Sequence, residues 1–123
     1  MQNKRQQFGK ESEFIAVRHL KKNGYKILEQ NYRNKLGEID IIAKDKGTLV
    51  FVEVKARRSD LFGNPKWALT PKKQRKISMV ALFYLKAKKQ SNVKARFDVV
   101  SISSAEDKPK VEIIKNAFEL AYG

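Results

Sequence analysis

Two short apolar stretches of the chain have charged residues at positions where a buried strand would have apolar core residues. Residues 37–43 read Gly-Glu-Ile-Asp-Ile-Ile-Ala, and residues 51–55 read Phe-Val-Glu-Val-Lys. Strands rich in Val, Ile and Phe favour burial, whereas Asp, Glu and Lys are almost never fully buried without a partner. Asp40, Glu53 and Lys55 therefore indicate a group bound from outside the fold, such as a metal ion together with a phosphate.

Two segments have the apolar periodicity of helices. Residues 4–23 carry an apolar stripe that ends before Gly24, and glycine commonly follows a helix C-terminus. Glu13 heads that stripe, although the helix dipole alone would also favour an acid near a helix N-terminus. The second predicted helix starts with Thr70 as its N-cap and Pro71 at its first position, and it runs to about residue 89.

Apolar runs between and after these helices predict strands. The predicted strands cover residues 25–33, 38–45, 48–55, 95–103 and 111–114, and a short terminal helix is expected over residues 116–122. This order predicts an α/β fold with a mixed central sheet and helices packed against it. A chain of 123 residues is expected to form one domain, covering residues 1–123.

The charge of the chain bears on its partner. It has 27 Lys and Arg against 13 Asp and Glu, a net charge of +14. Such a surplus favours nucleic acid first and an anionic membrane second, the alternative being a merely basic surface. The chain has no cysteine, which excludes disulfides and thiolate metal sites. Because the sequence shows no long apolar run and no secretory signal, we expect no membrane span and a cytoplasmic location.

A tight two-residue turn at residues 46–47 would bring the charged strand positions together. With that turn, Asp40 falls opposite Glu53, and Glu38 falls opposite Lys55. Directly opposed residues on one face of a sheet have Cβ atoms about 4.5–5.5 Å apart. The arrangement depends on the turn, because a slip of one residue would move Asp40 to the other face.

A ladder of ion pairs on an exposed sheet face is the alternative explanation of these charges. The apolar neighbours argue against it, because a strand pair that is apolar on both faces is central in its sheet. Strict alternation places Ile39 with Ile41 on one face, and Ile42 with Asp40 and Glu53 on the other.

A divalent cation would resolve the conflict between the two opposed carboxylates. Carboxylates this close repel each other, so one would stay protonated without a cation. Oxygen ligands with several retained waters suit Mg²⁺ or Mn²⁺. Such an ion polarises a phosphate oxygen and lowers the pKa of a bound water. Lys55 could orient that water or stabilise charge on the phosphate oxygens.

The second predicted helix begins with a cluster of cations, which opposes its dipole. The cluster consists of Lys72, Lys73, Arg75 and Lys76. Because helix N-termini also present free N–H groups to anions, we expect these residues to bind phosphates, unless they only reflect basic composition on an exposed face. Arg57 and Arg58 follow the Glu53 strand and are expected to contact backbone phosphates as well.

Several other polar and aromatic positions could contribute to the site. Gln74 heads the apolar stripe of the second helix and could hydrogen-bond a water or a phosphate near the metal. Phe62 and Trp67 lie in the irregular connection over residues 57–69, where they could stack on bases or anchor the connection to the core. Asp98 could border the site or pair with a nearby Arg or Lys.

The pattern of Glu13, Asp40 and Glu53-Val54-Lys55 resembles the PD-(D/E)xK nuclease superfamily, whose signature ends in an acid, any residue and a lysine on a central strand. Over nearly the whole chain the sequence looks like the YraN family of small uncharacterised bacterial proteins, which is similar to archaeal Holliday-junction resolvases. The matching stretches are residues 9–13, 24–25, 37–43, 51–57, 70–73 and 96–99. No proline precedes Asp40, where the superfamily name implies one, and many members share that departure.

This resemblance implies a restriction-endonuclease-like fold, a three-layer αβα core around the mixed sheet. By position, it implies that Glu13, Asp40 and Glu53 are ligands of Mg²⁺ or Mn²⁺ and that Lys55 is the catalytic lysine. It also implies that Gln74 is a helical polar residue near the site.

Together these features predict a metal-dependent endonuclease that hydrolyses phosphodiester bonds, with branched or structured DNA preferred to RNA as substrate. A homodimer would supply the two active sites that symmetric cutting of a junction needs. Two other functions stay open. One is a non-catalytic nucleic-acid-binding module with a nuclease-like fold, and the other is a structural partner in an RNA–protein assembly.

Overall fold

Two helices and five strands make up the described part of the chain. The computed structural model describes residues 4–57, 69–90, 92–103 and 110–119. The elements are α1 (Lys4–Lys22), β1 (Lys26–Asn34), β2 (Gly37–Asp45), β3 (Thr48–Arg57), α2 (Pro71–Ala87), β4 (Ala95–Ser103) and β5 (Lys110–Phe118). The first two predicted helices and the first four predicted strands are confirmed, with ends that differ by at most two residues.

The five strands form one mixed sheet in the order β1-β2-β3-β4-β5. Neighbouring strands are antiparallel except for β3 and β4, which are parallel. Parallel neighbours need a crossover connection, and α2 lies in that connection. The strand that carries Glu53 and Lys55 is therefore central, as its apolar sequence predicts.

One helix covers each face of the sheet. The core on the α1 side contains Ala16, Val17, Leu20, Tyr25, Ile41, Ala43, Val50, Val52, Val100 and Ile102. The core on the α2 side contains Ile39, Ile42, Leu49, Phe51, Ile77, Val80, Ala81, Tyr84, Phe97 and Phe118. The predicted α/β fold, with a three-layer αβα core around a mixed sheet, is confirmed.

The predicted two-residue turn between β2 and β3 is confirmed. Lys46 has φ 50° and Gly47 has φ 88°, and positive φ at both central residues is the requirement of a type I′ hairpin turn. Asp45 pairs with Thr48, as that turn dictates, and the regular pairing continues along the strands. The turn therefore sets the register that brings Asp40 toward β3.

The regular pairing of β2 with β3 ends at Ile41 and Val52, short of the charged positions. Ile39 packs on the α2 side of the sheet and Ile41 on the α1 side, so the expectation that both share a face is wrong. β2 departs from strict alternation at the point where the Asp40 side chain takes the place of a backbone hydrogen-bond acceptor for β3. There, the Asp40 carboxylate accepts a hydrogen bond from the Val54 backbone N–H at 2.8 Å, which keeps that donor satisfied.

The C-terminal part of the chain also differs from expectation. β5 runs continuously over Lys110–Phe118. The fifth strand predicted over residues 111–114 is therefore confirmed but longer than expected, and a helix beginning at residue 116 is wrong. Pairing with β4 gives the backbone of this segment its hydrogen-bond partners, and the Phe118 ring stacks on Phe97 with 4.7 Å between centroids. Asn116, at φ 53°, marks the irregular stretch of this pairing.

Two further expectations can be compared only with the part of the chain that the structure describes. Phe62 and Trp67 lie outside the described residues, as does most of the connection predicted over residues 57–69. Within the described ranges, no helix has the length and apolar character needed to cross a membrane.

Candidate active site

The carboxyl groups of Asp40 and Glu53 meet on the central strands. The two side chains are in hydrogen-bonding contact, and only 12% of the Glu53 side chain is exposed. Burial, together with the charge of Asp40, raises the pKa of Glu53 to about 7, although Lys73 opposes the rise. Burial likewise raises the pKa of Asp40, against the hydrogen bond from Val54. The predicted juxtaposition of these two acids is present in the fold.

Lys73 reaches this carboxyl pair from α2. Its Nζ lies 3.3 Å from Oε1 of Glu53, with 53% of the lysine side chain exposed. The position of Lys73 in the helix is set by the N-cap, because its backbone N–H donates to Oγ1 of Thr70 at 3.1 Å. A residue expected to contact phosphate on the surface therefore faces the acids directly.

Lys55 lies half-buried on the same strand as Glu53. Both residues line an open cavity of about 580 Å³, whose other walls include Leu69, Thr70 and Lys73. The cavity therefore brings a carboxylate and two lysines together between the end of the central strand β3 and the start of α2. This combination can bind an anionic group beside a cation.

Ser101 is a neighbour of Lys55 that the sequence did not indicate. The two residues are partners in the parallel pairing of β3 with β4. Ser101 is 2% exposed, and its Oγ has no hydrogen-bond partner among the described residues. A buried hydroxyl in that state is free to orient a polar group beside Lys55. A small polar residue between Val100 and Ile102 was the available signal.

Glu13 approaches Asp40 from the other face of the sheet. Burial raises the pKa of Glu13, the charge of Asp40 raises it further, and a hydrogen bond with the Asn31 side chain opposes the rise. Both acids line a second cavity, of about 560 Å³, on the α1 side. Glu13 lies in the middle of α1, whose first turn has no acid, so the helix dipole does not account for it.

Asn31 is a further residue that sequence reasoning missed. It lies within β1 with φ 54°, a left-handed conformation that is uncommon for residues other than glycine and least so for Asn and Asp. Its side chain hydrogen-bonds Glu13. Backbone strain of this kind is maintained where the surrounding structure requires it, often at functional sites. An asparagine inside a predicted strand, where it is unfavoured, was the available signal.

The expected three-carboxylate metal cluster is not preassembled. Within the described ranges, no group of three or more Asp, Glu or His side chains is gathered closely enough to hold a metal ion. The pair of Asp40 and Glu53 nevertheless fits Mg²⁺, which usually binds through one or two carboxylates, several waters and substrate phosphates. Glu13 stands beside Asp40 as a neighbouring charge rather than as the third member of a preformed cluster.

Gln74 has a hydrogen-bond partner within the chain. Its Nε2 donates to the Leu69 carbonyl oxygen at 2.9 Å, and the residue is half-buried. This bond holds the chain that leads into the Thr70 cap. Gln74 therefore lies at the start of α2 and contacts Leu69, which lines the cavity.

The other predicted phosphate-binding residues differ in what the structure describes. Lys72, Arg75 and Lys76 are exposed on the first turns of α2. The backbone of Arg57 ends β3, but its side chain and the whole of Arg58 lie outside the described part of the chain.

Asp98 belongs to a separate buried cluster around Arg96. The Asp98 carboxylate is fully buried and accepts from Arg96 Nε at 2.9 Å, Tyr25 OH at 2.7 Å and the Asn116 backbone N–H at 2.9 Å. Arg96 also pairs with Asp45 at 2.7 Å, and this bond lowers the pKa of Asp45. Of the two interpretations of Asp98, pairing with a nearby arginine is the one confirmed.

Comparison with known proteins places the chain in a family. The family model described as "Uncharacterised protein family UPF0102" matches residues 12–102. The chain is similar to a UPF0102 protein of Syntrophus aciditrophicus (strain SB), with 55% identity over 94% of this chain and 91% of the relative. It is also similar to the UPF0102 protein of Desulfosudis oleivorans, with 54% identity over 97% of this chain and 95% of the relative. The chain belongs to family UPF0102, which confirms the YraN-like assignment.

Proposed function

We propose that this member of family UPF0102 is a nucleic-acid-binding protein and a metal-dependent endonuclease that hydrolyses phosphodiester bonds. The observation that carries the proposal is the contact between the Asp40 and Glu53 carboxyl groups, with Lys55 and Lys73 in the same cavity. Burial of these charged groups in two central strands costs folding free energy, and a purely structural role would not require it.

The fold supports the same proposal. A mixed sheet with one helix on each face, and the acid-x-lysine strand at its centre, is the arrangement expected of the PD-(D/E)xK superfamily and of restriction-endonuclease-like proteins. Similarity to Holliday-junction resolvases makes branched or structured DNA the proposed substrate. The same analogy suggests a homodimer, because symmetric cutting needs two sites, and a cytoplasmic location.

In this mechanism Asp40 and Glu53 would hold Mg²⁺ or Mn²⁺, and Glu13 would add negative charge from the other face. The bound ion supplies charge neutralisation at the phosphate and a more acidic water. Lys55 orients the attacking water or stabilises charge on the phosphate oxygens. Gln74 borders this region and holds the start of α2 in place through Leu69.

The basic residues supply substrate binding. Lys73, next to Glu53, would contact the phosphate at the site, and Lys72, Arg75 and Lys76 present exposed charges along the start of α2. Arg57 and Arg58 complete the proposed set of backbone-phosphate contacts. With a net charge of +14, phosphate binding without strong sequence preference is the expected mode.

The competing function is a nucleic-acid-binding module without hydrolysis. One observation favours it, namely that no three-carboxylate cluster is preassembled among the described residues. In that case binding to DNA or RNA would persist after removal of the site carboxylates.

The deciding experiment incubates the protein with labelled single-stranded, linear duplex and four-way-junction DNA, and with RNA, in Mg²⁺ or Mn²⁺. We expect cleavage of structured DNA by the wild type, and loss of cleavage with retained binding in Asp40→Asn and Lys55→Ala. Lys44→Ala, which changes an exposed lysine of β2, is the matched control and should cleave normally. Cleavage that survives both site substitutions would identify a contaminating enzyme and overturn the assignment.

A further inference from the structure

A third cavity lies between the β1–β2 turn and the first turns of α2. It has a volume of about 460 Å³, and the charged residues that line it are Arg33, Lys35, Glu38, Lys73 and Lys76. We call it the turn groove. It is separate from the cavity that contains Lys55 but shares one wall with it.

The shape of the turn groove is fixed by its own backbone. The Leu36 N–H donates to Oδ1 of Asn34 at 2.8 Å, which closes the turn. Gly37 packs against α2 so tightly that an added Cβ would lie 3.1 Å from Val80 and 3.3 Å from Lys76. A larger residue would require these side chains to shift, and φ at Gly37 is 153°, a value that residues with a side chain rarely adopt. Glycine is therefore favoured here, and the turn packs against the helix.

The lining of the turn groove is strongly basic. Four cations face a single carboxylate, that of Glu38. Glu38 is already paired with Arg33, at 2.8 Å. Lys35 and Lys76 stand on opposite walls, one on the turn and one on the helix. A concave surface with this excess of one charge concentrates the opposite charge from solution.

Lys73 connects the turn groove to the candidate active site. It lines the turn groove and also the cavity that contains Glu53 and Lys55, and its ammonium lies 3.3 Å from the Glu53 carboxylate. A polyanion lying in the groove would therefore run directly to the two acids. An anionic membrane would need a flatter surface, and an acidic peptide would have no reason to continue to a carboxylate pair.

We infer that the turn groove binds phosphates of the nucleic-acid strand that flanks the bond attacked at Asp40 and Glu53. The inference rests on the proposed function, because the groove is defined as the continuation of that site. It adds Arg33 and Lys35 to the binding surface, and it sets the side of the site on which the strand lies.

The test compares two double variants of equal net charge. Lys35→Gln with Lys76→Gln removes one cation from each wall of the groove, and Lys21→Gln with Lys22→Gln removes two exposed cations at the end of α1. Affinity for a labelled DNA junction is measured by fluorescence anisotropy in EDTA, over a series of salt concentrations. Loss of two phosphate contacts should reduce the slope of log affinity against log salt by about 1.4–1.8, whereas the α1 pair should leave it nearly unchanged.

Any other result would reject either the groove or the proposed function. If both double variants lost the same DNA affinity, only the overall charge would matter, and the groove would be rejected. If the wild type cleaves DNA but the two double variants bind it equally well, the groove alone is rejected. If the wild type neither binds nor cleaves DNA, the proposed function is rejected as well. Binding to anionic vesicles that depends on the groove pair when DNA binding does not would identify a membrane surface instead. Thermal unfolding verifies folding, and the single Lys35→Gln variant replaces the pair if the pair is unstable.

Discussion

The Asp40 carboxylate accepts a hydrogen bond from the Val54 backbone N–H at 2.8 Å, at the point where β2 and β3 stop pairing regularly. The bond gives Asp40 two functions. It satisfies a backbone donor that the sheet no longer serves, and it holds the carboxylate next to Glu53.

Substitution of Asp40 should separate these two functions. Asp40→Asn keeps an oxygen that can accept from Val54, and it removes the charge that opposes ionisation of Glu53. We expect stability equal to or above the wild type at neutral pH without divalent ions. Asp40→Ala leaves the Val54 donor without its partner and should cost about 1–3 kcal/mol. Urea unfolding of the two variants checks this, and equal stabilities would show that the hydrogen bond contributes nothing.

Without divalent ions, the stability of the protein should fall as the pH rises from about 4.5 to about 7. Glu53 has a pKa of about 7 in the folded chain against an ordinary value of 4.5. Between these values the unfolded chain has already released this proton, which lowers its free energy relative to that of the folded chain. Each unit of difference corresponds to about 1.4 kcal/mol. Urea unfolding in EDTA across this range measures the effect.

Glu53→Gln is the control for that pH dependence. It retains the shape of the side chain and removes the ionisation, so its stability should change less with pH over the same range. Parallel pH profiles for the wild type and Glu53→Gln would show that Glu53 is not the titrating group.

Removal of Lys73 should strengthen binding of divalent ions and weaken activity on nucleic acid. The lysine ammonium neutralises Glu53, so it competes with a bound cation. A partly exposed ion pair is worth up to about 1 kcal/mol, which corresponds to about fivefold in affinity. Calorimetric titration of Lys73→Met with Mn²⁺ measures this. Lys72→Met, one residue earlier on an exposed position, should bind the ion as the wild type does, and the same affinity in both variants would contradict the assignment.

The left-handed conformation of Asn31 predicts an unusual order of stability for its variants. Asn31→Gly should tolerate φ 54° and lose only the hydrogen bond to Glu13. Asn31→Ala should be less stable than Asn31→Gly by about 1 kcal/mol, because a Cβ is strained in this region. Thermal unfolding ranks the variants. Inside an ordinary strand the order would be reversed, since alanine is there the better residue.

Arg96 should be more important for folding than any lysine of the candidate site. Arg96→Met leaves the buried carboxylates of Asp45 and Asp98 without their main cation, and breaking a buried pair of this kind costs about 3–5 kcal/mol. Urea unfolding checks the loss. Arg33→Met breaks an exposed pair with Glu38 and should cost no more than about 1 kcal/mol. Similar losses in the two variants would contradict the structural role of Arg96.

Local patterns were sufficient for most of the fold and for part of the candidate site. The Lys46-Gly47 turn predicted the β2–β3 register, because a two-residue turn needs positive φ and leaves one pairing for the flanking strands. That register brings Asp40 toward Glu53, although the regular pairing ends at Ile41 and Val52 before it reaches them. The terminal segment failed because its strand conformation comes from pairing with β4, a contact that local sequence does not encode.

The sequence alone therefore determined the order of the elements, the three-layer architecture and the acidic positions on the central strands. Only the tertiary structure decided how these positions meet. It turned Lys73 toward Glu53, brought Asn31 to Glu13, and changed the face of Ile39 where Asp40 replaces a ladder partner. The physical reason is that periodicity specifies which face of an element is buried, whereas the direction of a single side chain depends on neighbours that are distant in the chain.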